Sequence, residues 1–236
     1  MRVALLRYPG TWSERDFEHA FSLVPGIETE ILWHDDADLR GFDAAIVPGG
    51  FSYGDHLRAG AIAKISRGTK ALRRFADEGK PVLGSCNGFQ ILCEAGLLPG
   101  ALLRNVSLEY RCEWIHVRVE NDRTPWTADL GGQVLRMPIG HGEGCFVADP
   151  DTLAGLEERG QIVFRYTDAR GAATLEANPN GSMSNIAGVT NEAGNVVGLM
   201  PHPERCAEAL LGGTDGYQVL ANIARLLAGT TPAIYR

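Results

Sequence analysis

The chain opens with short runs that are apolar throughout and alternate with helix-like stretches. "RVALL" (2–6), "TEILW" (29–33), "FDAAIVPGG" (42–50) and "PVLGS" (81–85) read as strands. Between them, 13–24 starts at Ser13, a good helix N-cap, and carries Phe17, Ala20, Phe21 and Val24 at helical spacing. Helices are also expected over 68–79, with Gly79 as C-cap, and over 89–96. A strand without a polar face must be covered on both sides. Strand–helix alternation therefore predicts an α/β fold: a mostly parallel central sheet with helices on both faces. In such sheets functional groups gather at the carboxyl ends of the strands. The turns Pro9-Gly10, Pro48-Gly49-Gly50 and Gly84 to Gly88 all fall there.

Beyond residue 110 the pattern changes. Stretches 112–121, 133–144 and 161–168 read as strands with few helices between them, so an antiparallel extension of the sheet is expected. Residues 178–204 read as short strands joined by tight turns at Asn180-Gly181 and Ala193-Gly194-Asn195. A closing helix is expected over 216–229, capped by Gly229. No linker or repeat divides the chain, and a single domain over 1–236 is the expectation.

The 236 residues are 44% hydrophobic, enough for a substantial core, and the net charge is −7. No run of basic residues invites nucleic acid or an anionic membrane. No stretch approaches the length of a spanning helix or a signal peptide, so a cytoplasmic protein is expected. The five cysteines, 86, 93, 112, 145 and 206, form no CxxC and are expected to be reduced, several of them buried as small hydrophobes.

"KPVLGSCNGFQILCEAG" (80–96) carries the strongest chemical signal. Cys86 sits where a strand turns sharply into a helix, with Gly84 and Gly88 two residues to either side. Such an elbow points the apex side chain outward above a helix N-terminus, which favours a thiolate nucleophile. The N–H of Asn87 would face an oxyanion formed on a carbonyl attacked by Cys86. The turn after 42–47 exposes the N–H groups of Gly50 and Phe51 as further donors. A nucleophilic thiol needs a base. In "VVGLMPHPE" (196–204), His202 stands between two prolines and Glu204 follows two residues on. An extended backbone would point both side chains the same way, so that Glu204 orients His202. A rival set, Cys112, His116, His141 and Cys145, has metal-like spacing. On strands, however, residues i and i+4 lie about 13 Å apart, too far to share one zinc ion. His141 could still line a pocket, because "GHGEG" (140–144) is poor in side-chain bulk.

"PGGFSYGD", "GSCNGFQIL" and "MPHPER", in that order, resemble the triad-type (class I) glutamine amidotransferases. More narrowly, "YPGT…RD" (8–16), "CNGFQIL" (86–92), "HGEG" (141–144), "NPNGS" (178–182) and "GLMPHPER" (198–205) resemble the glutaminase subunits of phosphoribosylformylglycinamidine synthase. The resemblance spans nearly the whole chain. It implies a flavodoxin-like fold, with Cys86 as nucleophile, His202 as base, Glu204 as orienter and Gly50, Asn87 or Phe51 as oxyanion donors. It implies that Gln90 and the Ser107-to-Arg111 region hold glutamine. It also implies that the ammonia passes to a large ATP-dependent synthetase subunit (PurL), with a small third subunit (PurS) common in bacteria. No cofactor is expected in this chain, and ATP and Mg belong to the synthetase. Trp12-Ser13 departs from the family's usual Asn-Cys, which leaves the role of those two positions open. Two other readings stay open: a cysteine peptidase or chaperone-like protein on the same elbow, and a non-catalytic metal-binding module.

Overall fold

The computed structural model describes residues 1–226. The first half runs β1 (Arg2–Arg7), α1 (Glu14–Ser22), β2 (Glu28–Trp33), β3 (Ala44–Val47), α2 (Arg67–Asp77), β4 (Val82–Ser85) and α3 (Asn87–Glu94). The second half runs β5 (Ala101–Leu103), β6 (Arg111–Val119), β7 (Val134–His141), β8 (Cys145–Val147), α4 (Pro150–Glu158), β9 (Ile162–Thr167), β10 (Ile186–Thr190), β11 (Val196–Leu199) and α5 (Asp215–Ala221). Nine strands form one sheet in the order β2-β1-β3-β4-β11-β10-β9-β6-β7. The first five are mutually parallel, and the pairs from β11 to β7 are antiparallel. The parallel sheet and its antiparallel extension are thus both present. β5 and β8 form a separate two-stranded sheet.

Each face of the parallel strands has its own apolar layer, as the two-residue period of a strand requires. Val3, Leu5, Ile46 and Leu83 pack with Phe17, Phe21, Val219 and Leu220, placing α1 and α5 on one side. Ala4, Leu6, Ala45 and Val82 pack with Leu72, Phe75, Phe89 and Ile91, placing α2 and α3 on the other.

One α-helix, α4, stands among the strands of 112–168, in line with the few helices expected there. Asp149 caps it by accepting a hydrogen bond from the Thr152 N–H at 2.9 Å, and Pro150 opens it. Two later expectations need correction. Residues 178–185 form no strand. The Asn178 side chain accepts from the N–H groups of Gly181 and Ser182, so this backbone is satisfied locally and not by a ladder. Helix α5 ends at Ala221 and a 3₁₀ turn (Asn222–Leu226) follows; the expected Gly229 cap lies outside the described residues. Gly79 does follow α2 with a left-handed backbone, its N–H bonded to Ala76 O. Among the described residues no helix is long and apolar enough to cross a membrane.

Candidate active site

The elbow is built by close packing at the carboxyl end of β4. Cys86 has φ 51° and ψ −108°, a strained conformation for a residue with a side chain, and α3 starts at the next residue. The flanking glycines are required by contact. A Cβ at Gly88 would sit 1.8 Å from the Val47 carbonyl oxygen, and one at Gly84 would sit 2.5 Å from a Leu92 methyl. The Cys86 N–H is held by Leu199 O at 2.8 Å, so β11 fixes the turn. The thiol lies 3.7 Å from Gly140 O at the end of β7.

β11 leads directly to His202. Its N–H bonds to Pro138 O at 2.9 Å, which ties it to β7. Its Nδ1 lies 2.7 Å from Glu204 Oε1, and both side chains are buried. Residues 203–206 form a 3₁₀ turn and not the expected extended segment, so Glu204 reaches His202 by curling back. The Ser85 hydroxyl lies 3.4 Å from Glu204 Oε2 and 3.2 Å from Pro201 O. Burial pulls the His202 imidazolium down, but Glu204 and the neighbouring Cys86 outweigh it and push the ring up to about 10. The ring's Nε2 has no hydrogen-bond partner. At Gly49, a Cβ would meet His202 Cε1 at 2.8 Å and Cys86 Cβ at 3.4 Å, so the missing side chain is what lets base and thiol approach.

The Gly49-Gly50 turn is held from residues 10–13. Trp12 N–H donates to Gly49 O at 2.9 Å and Phe51 N–H donates to Gly10 O at 2.8 Å. The bridge leaves the Gly50 N–H outside it, whereas the Phe51 N–H is engaged. In this geometry the Phe51 N–H is taken, which leaves Gly50 and Asn87 as the candidate oxyanion donors. Ser13 also differs from expectation. Its hydroxyl makes no bond to the start of α1 and instead accepts from the Gly49 N–H at 2.8 Å. That gives Ser13 a place in the site that sequence reasoning did not find. Trp12 is exposed and stands edge-on to Phe51.

Cys86 opens on a cavity of about 190 Å³, lined by Gly50, Phe51, Asp55, Gln90, Tyr110, Gly140, His141, Gly142 and Glu143. Gln90 is in this wall, its Nε2 donating to Glu143 O at 2.6 Å. Ser107 and Arg111 are not. Ser107 is exposed with its hydroxyl on the Glu109 N–H, and Arg111 lines a separate hollow of about 420 Å³ on the antiparallel half. Of that loop, Tyr110 is the residue that reaches the cavity. Asp55 and Glu143 were missed as well. His141 does line the cavity. Burial, then the charge of His202, holds it near 3, and its Nε2 lies 3.1 Å from Asn180 Nδ2.

The other histidine and cysteines do not converge. Cys112 is exposed opposite Gly140, His116 pairs with Arg136, and Cys145 lies in the separate sheet opposite Leu103. Among the described residues no group of three or more His, Cys, Asp or Glu side chains is disposed to hold a metal.

The profile of the CobB/CobQ-like glutamine amidotransferase domain matches residues 1–227. The phosphoribosylformylglycinamidine synthase subunit PurQ of Thermomicrobium roseum is 55% identical over 224 residues, covering 94% of this chain and 95% of the relative. The subunit of the same name in Moorella thermoacetica is 53% identical over 224 residues, covering 94% and 95%. Among solved structures, a chain of the PurLQS structure from Thermotoga maritima is similar at a TM-score of 0.85 and 42% identity, covering 96% of this chain and 98% of that one.

Proposed function

This chain belongs to the glutamine amidotransferases, in the family of PurQ subunits of phosphoribosylformylglycinamidine synthase, and from that premise we propose which of its residues carry the reaction. It is the glutaminase of a synthase that converts formylglycinamide ribonucleotide to formylglycinamidine ribonucleotide in purine biosynthesis. It works with a PurL synthetase subunit and a PurS subunit.

The proton from the Cys86 thiol goes to His202, and the sulfur attacks the side-chain carboxamide carbon of glutamine. The tetrahedral oxyanion is met by the N–H groups of Gly50 and Asn87. His202, held protonated by Glu204, donates to the departing nitrogen, and ammonia leaves a γ-glutamyl thioester. His202 then takes a proton from water, which attacks the thioester and releases glutamate and the thiol. Gln90 lies in the wall that receives the amino-acid end of the substrate. The observation that carries this reading is the strained Cys86 apex, on the wall of one cavity and beside the buried His202–Glu204 pair.

The same reading takes the chain as one amidotransferase domain, cytoplasmic, with no cofactor of its own and with ATP and Mg used by the synthetase. A glutamine-analogue electrophile should label Cys86 alone among the five cysteines, and Cys86→Ser should abolish both labelling and glutaminase activity. Persistent hydrolysis by that variant would overturn the assignment.

A further inference from the structure

Two carboxyl side chains in the cavity take no part in the thioester chemistry. Asp55 and Glu143 line it from different elements, one from the loop after β3 and one from the turn after β7. We propose that Asp55, with Glu143 beside it, receives the α-ammonium group of glutamine and so restricts this site to free amino acids. This rests on the glutaminase reading above and deepens it.

Four observations carry the proposal. First, the backbone spends strain to present Asp55. Tyr53, Gly54 and Asp55 all have left-handed backbones, with φ of 54°, 66° and 54°. A left-handed conformation costs a residue with a side chain roughly 1 kcal/mol, and such runs persist where the surroundings over-determine them. Second, the nucleophile's own helix holds the loop. The Asn87 side chain accepts from the Ser52 N–H at 3.1 Å and lies 3.4 Å from Asp55 Oδ1, while donating to Gln90 Oε1 at 2.8 Å. Asp55 is thereby referenced to the residue beside Cys86. Third, the protein supplies these carboxyls with little positive charge. Asp55 has no ion pair among the described residues. Among those same residues Glu143 has only Arg104, at 3.6 Å, and that side chain is largely exposed. Burial, then the charge of Glu143, pushes the Asp55 carboxyl up to about 6, which marks a site short of a cation. Fourth, the substrate brings the missing charge. With its carboxamide at Cys86, glutamine places its amino-acid end in the rest of this small cavity, and a free amino acid carries an ammonium where a peptide-bound glutamine carries a neutral amide.

The test compares L-glutamine with glutaramate, the same amide without the α-amino group, on the full chain assembled with its synthetase. The wild type, Asp55→Asn and Glu143→Gln are assayed side by side. Asp55→Asn should lower the preference for glutamine over glutaramate, in kcat/KM, by at least about tenfold through a higher KM for glutamine, since removing one charge contact from a partly buried site commonly has that effect. Glutaramate turnover should stay within about threefold of wild type. Glu143→Gln should shift the preference in the same direction. If both variants lose activity on the two substrates alike, or keep the wild-type preference, the acidic pair has a structural role and the proposal fails. If the wild type hydrolyses neither amide, the glutaminase reading itself fails and this inference goes with it.

Discussion

The two halves of the large sheet do different work. In the parallel half, β3, β4 and β11 are buried from end to end, and β1 is buried through its four central residues. The edge strand β2 is partly exposed along its length. In the antiparallel half, β10 and β9 beside the parallel strands are also largely buried, whereas the outer β7, and β6 from Ile115 on, alternate buried with more exposed positions. A strand locked on both faces can hold a costly backbone at its end, because no neighbour can yield without opening a core. That is where the Cys86 apex and the Gly49-Gly50 turn stand, with His202 just beyond β11. The antiparallel half contributes a wall in place of an apex. Pro138 O anchors His202, Gly140 O faces the thiol, and the hairpin end carries His141 and Glu143 into the cavity. Rigid turns on one side and a lining on the other meet at a single cavity.

Changes to the parallel apex should therefore affect turnover far more than changes on the antiparallel strands. The largest effect is expected for Cys86→Ala, with glutamine hydrolysis lost to background. Cys93→Ala, seven residues on and inside α3, should remain within about twofold of wild type. The Cys93 thiol sits on Pro99 O, and burial, then Glu94, holds its pKa well above the ordinary value, so it has no reactive form to lose. Equal losses at both positions would show that packing of α3, not the apex, sets activity.

Next comes Glu204→Gln, expected to reduce kcat by about 10⁴-fold by analogy with the loss of an orienting carboxylate in other triads. Without Glu204, burial dominates and His202 loses its proton at lower pH. In the wild type the imidazolium is retained below about 10, so activity should fall as pH rises through that value; in Glu204→Gln the alkaline limb should move to lower pH. A pH–rate profile unchanged by the substitution would separate Glu204 from the base.

A smaller but still large effect is expected for Gly50→Ala, where the added Cβ would meet Gly10 O at 2.5 Å and Thr11 Cα at 2.7 Å. Displacing one oxyanion donor typically lowers kcat about 10²-fold. His116→Ala, on β6 in the antiparallel half, should leave kcat within about twofold. Comparable losses for the two would erase the distinction between the halves.

The smallest effect is one of stability. Asp55 has a folded pKa of about 6, above its ordinary 3.8, so its charge opposes folding above about pH 6 and not below about 3.8. Discounted for its half-exposed position, the penalty is on the order of 1 kcal/mol. Asp55→Asn should accordingly raise the midpoint of urea unfolding at pH 7.5 and leave it unchanged at pH 3.5. A variant no more stable at neutral pH would mean that solvent already relieves the carboxylate.

Cys86, His202 and Glu204 were legible in the sequence because each stands in a local pattern with a mechanical meaning: a glycine-flanked elbow, and a histidine and glutamate set among prolines. Ser13 was legible only as a helix cap, because its bond to Gly49 spans 36 residues. Asp55 and Glu143 carried no signal of their own, and nothing in the spacing of 55, 90 and 143 announces one cavity. Ser107 and Arg111 entered through family resemblance, and the loop that carries them turns Tyr110 inward instead. Helix α4, among the few helices expected between the strands of 112–168, has a readable start in Asp149-Pro150.

The order of apolar runs and glycine turns by itself determined the parallel, helix-covered sheet and the carboxyl-end position of the nucleophile. Those follow from burial on two faces and from the space a sharp turn requires, and both are local. Only the tertiary structure decided that Phe51's amide is already engaged, that Glu204 reaches His202 through a 3₁₀ turn, and that two distant carboxyls share the cavity of Cys86. Such facts depend on which hydrogen bonds and charges meet across strands far apart in the chain, and a linear pattern does not encode those distances.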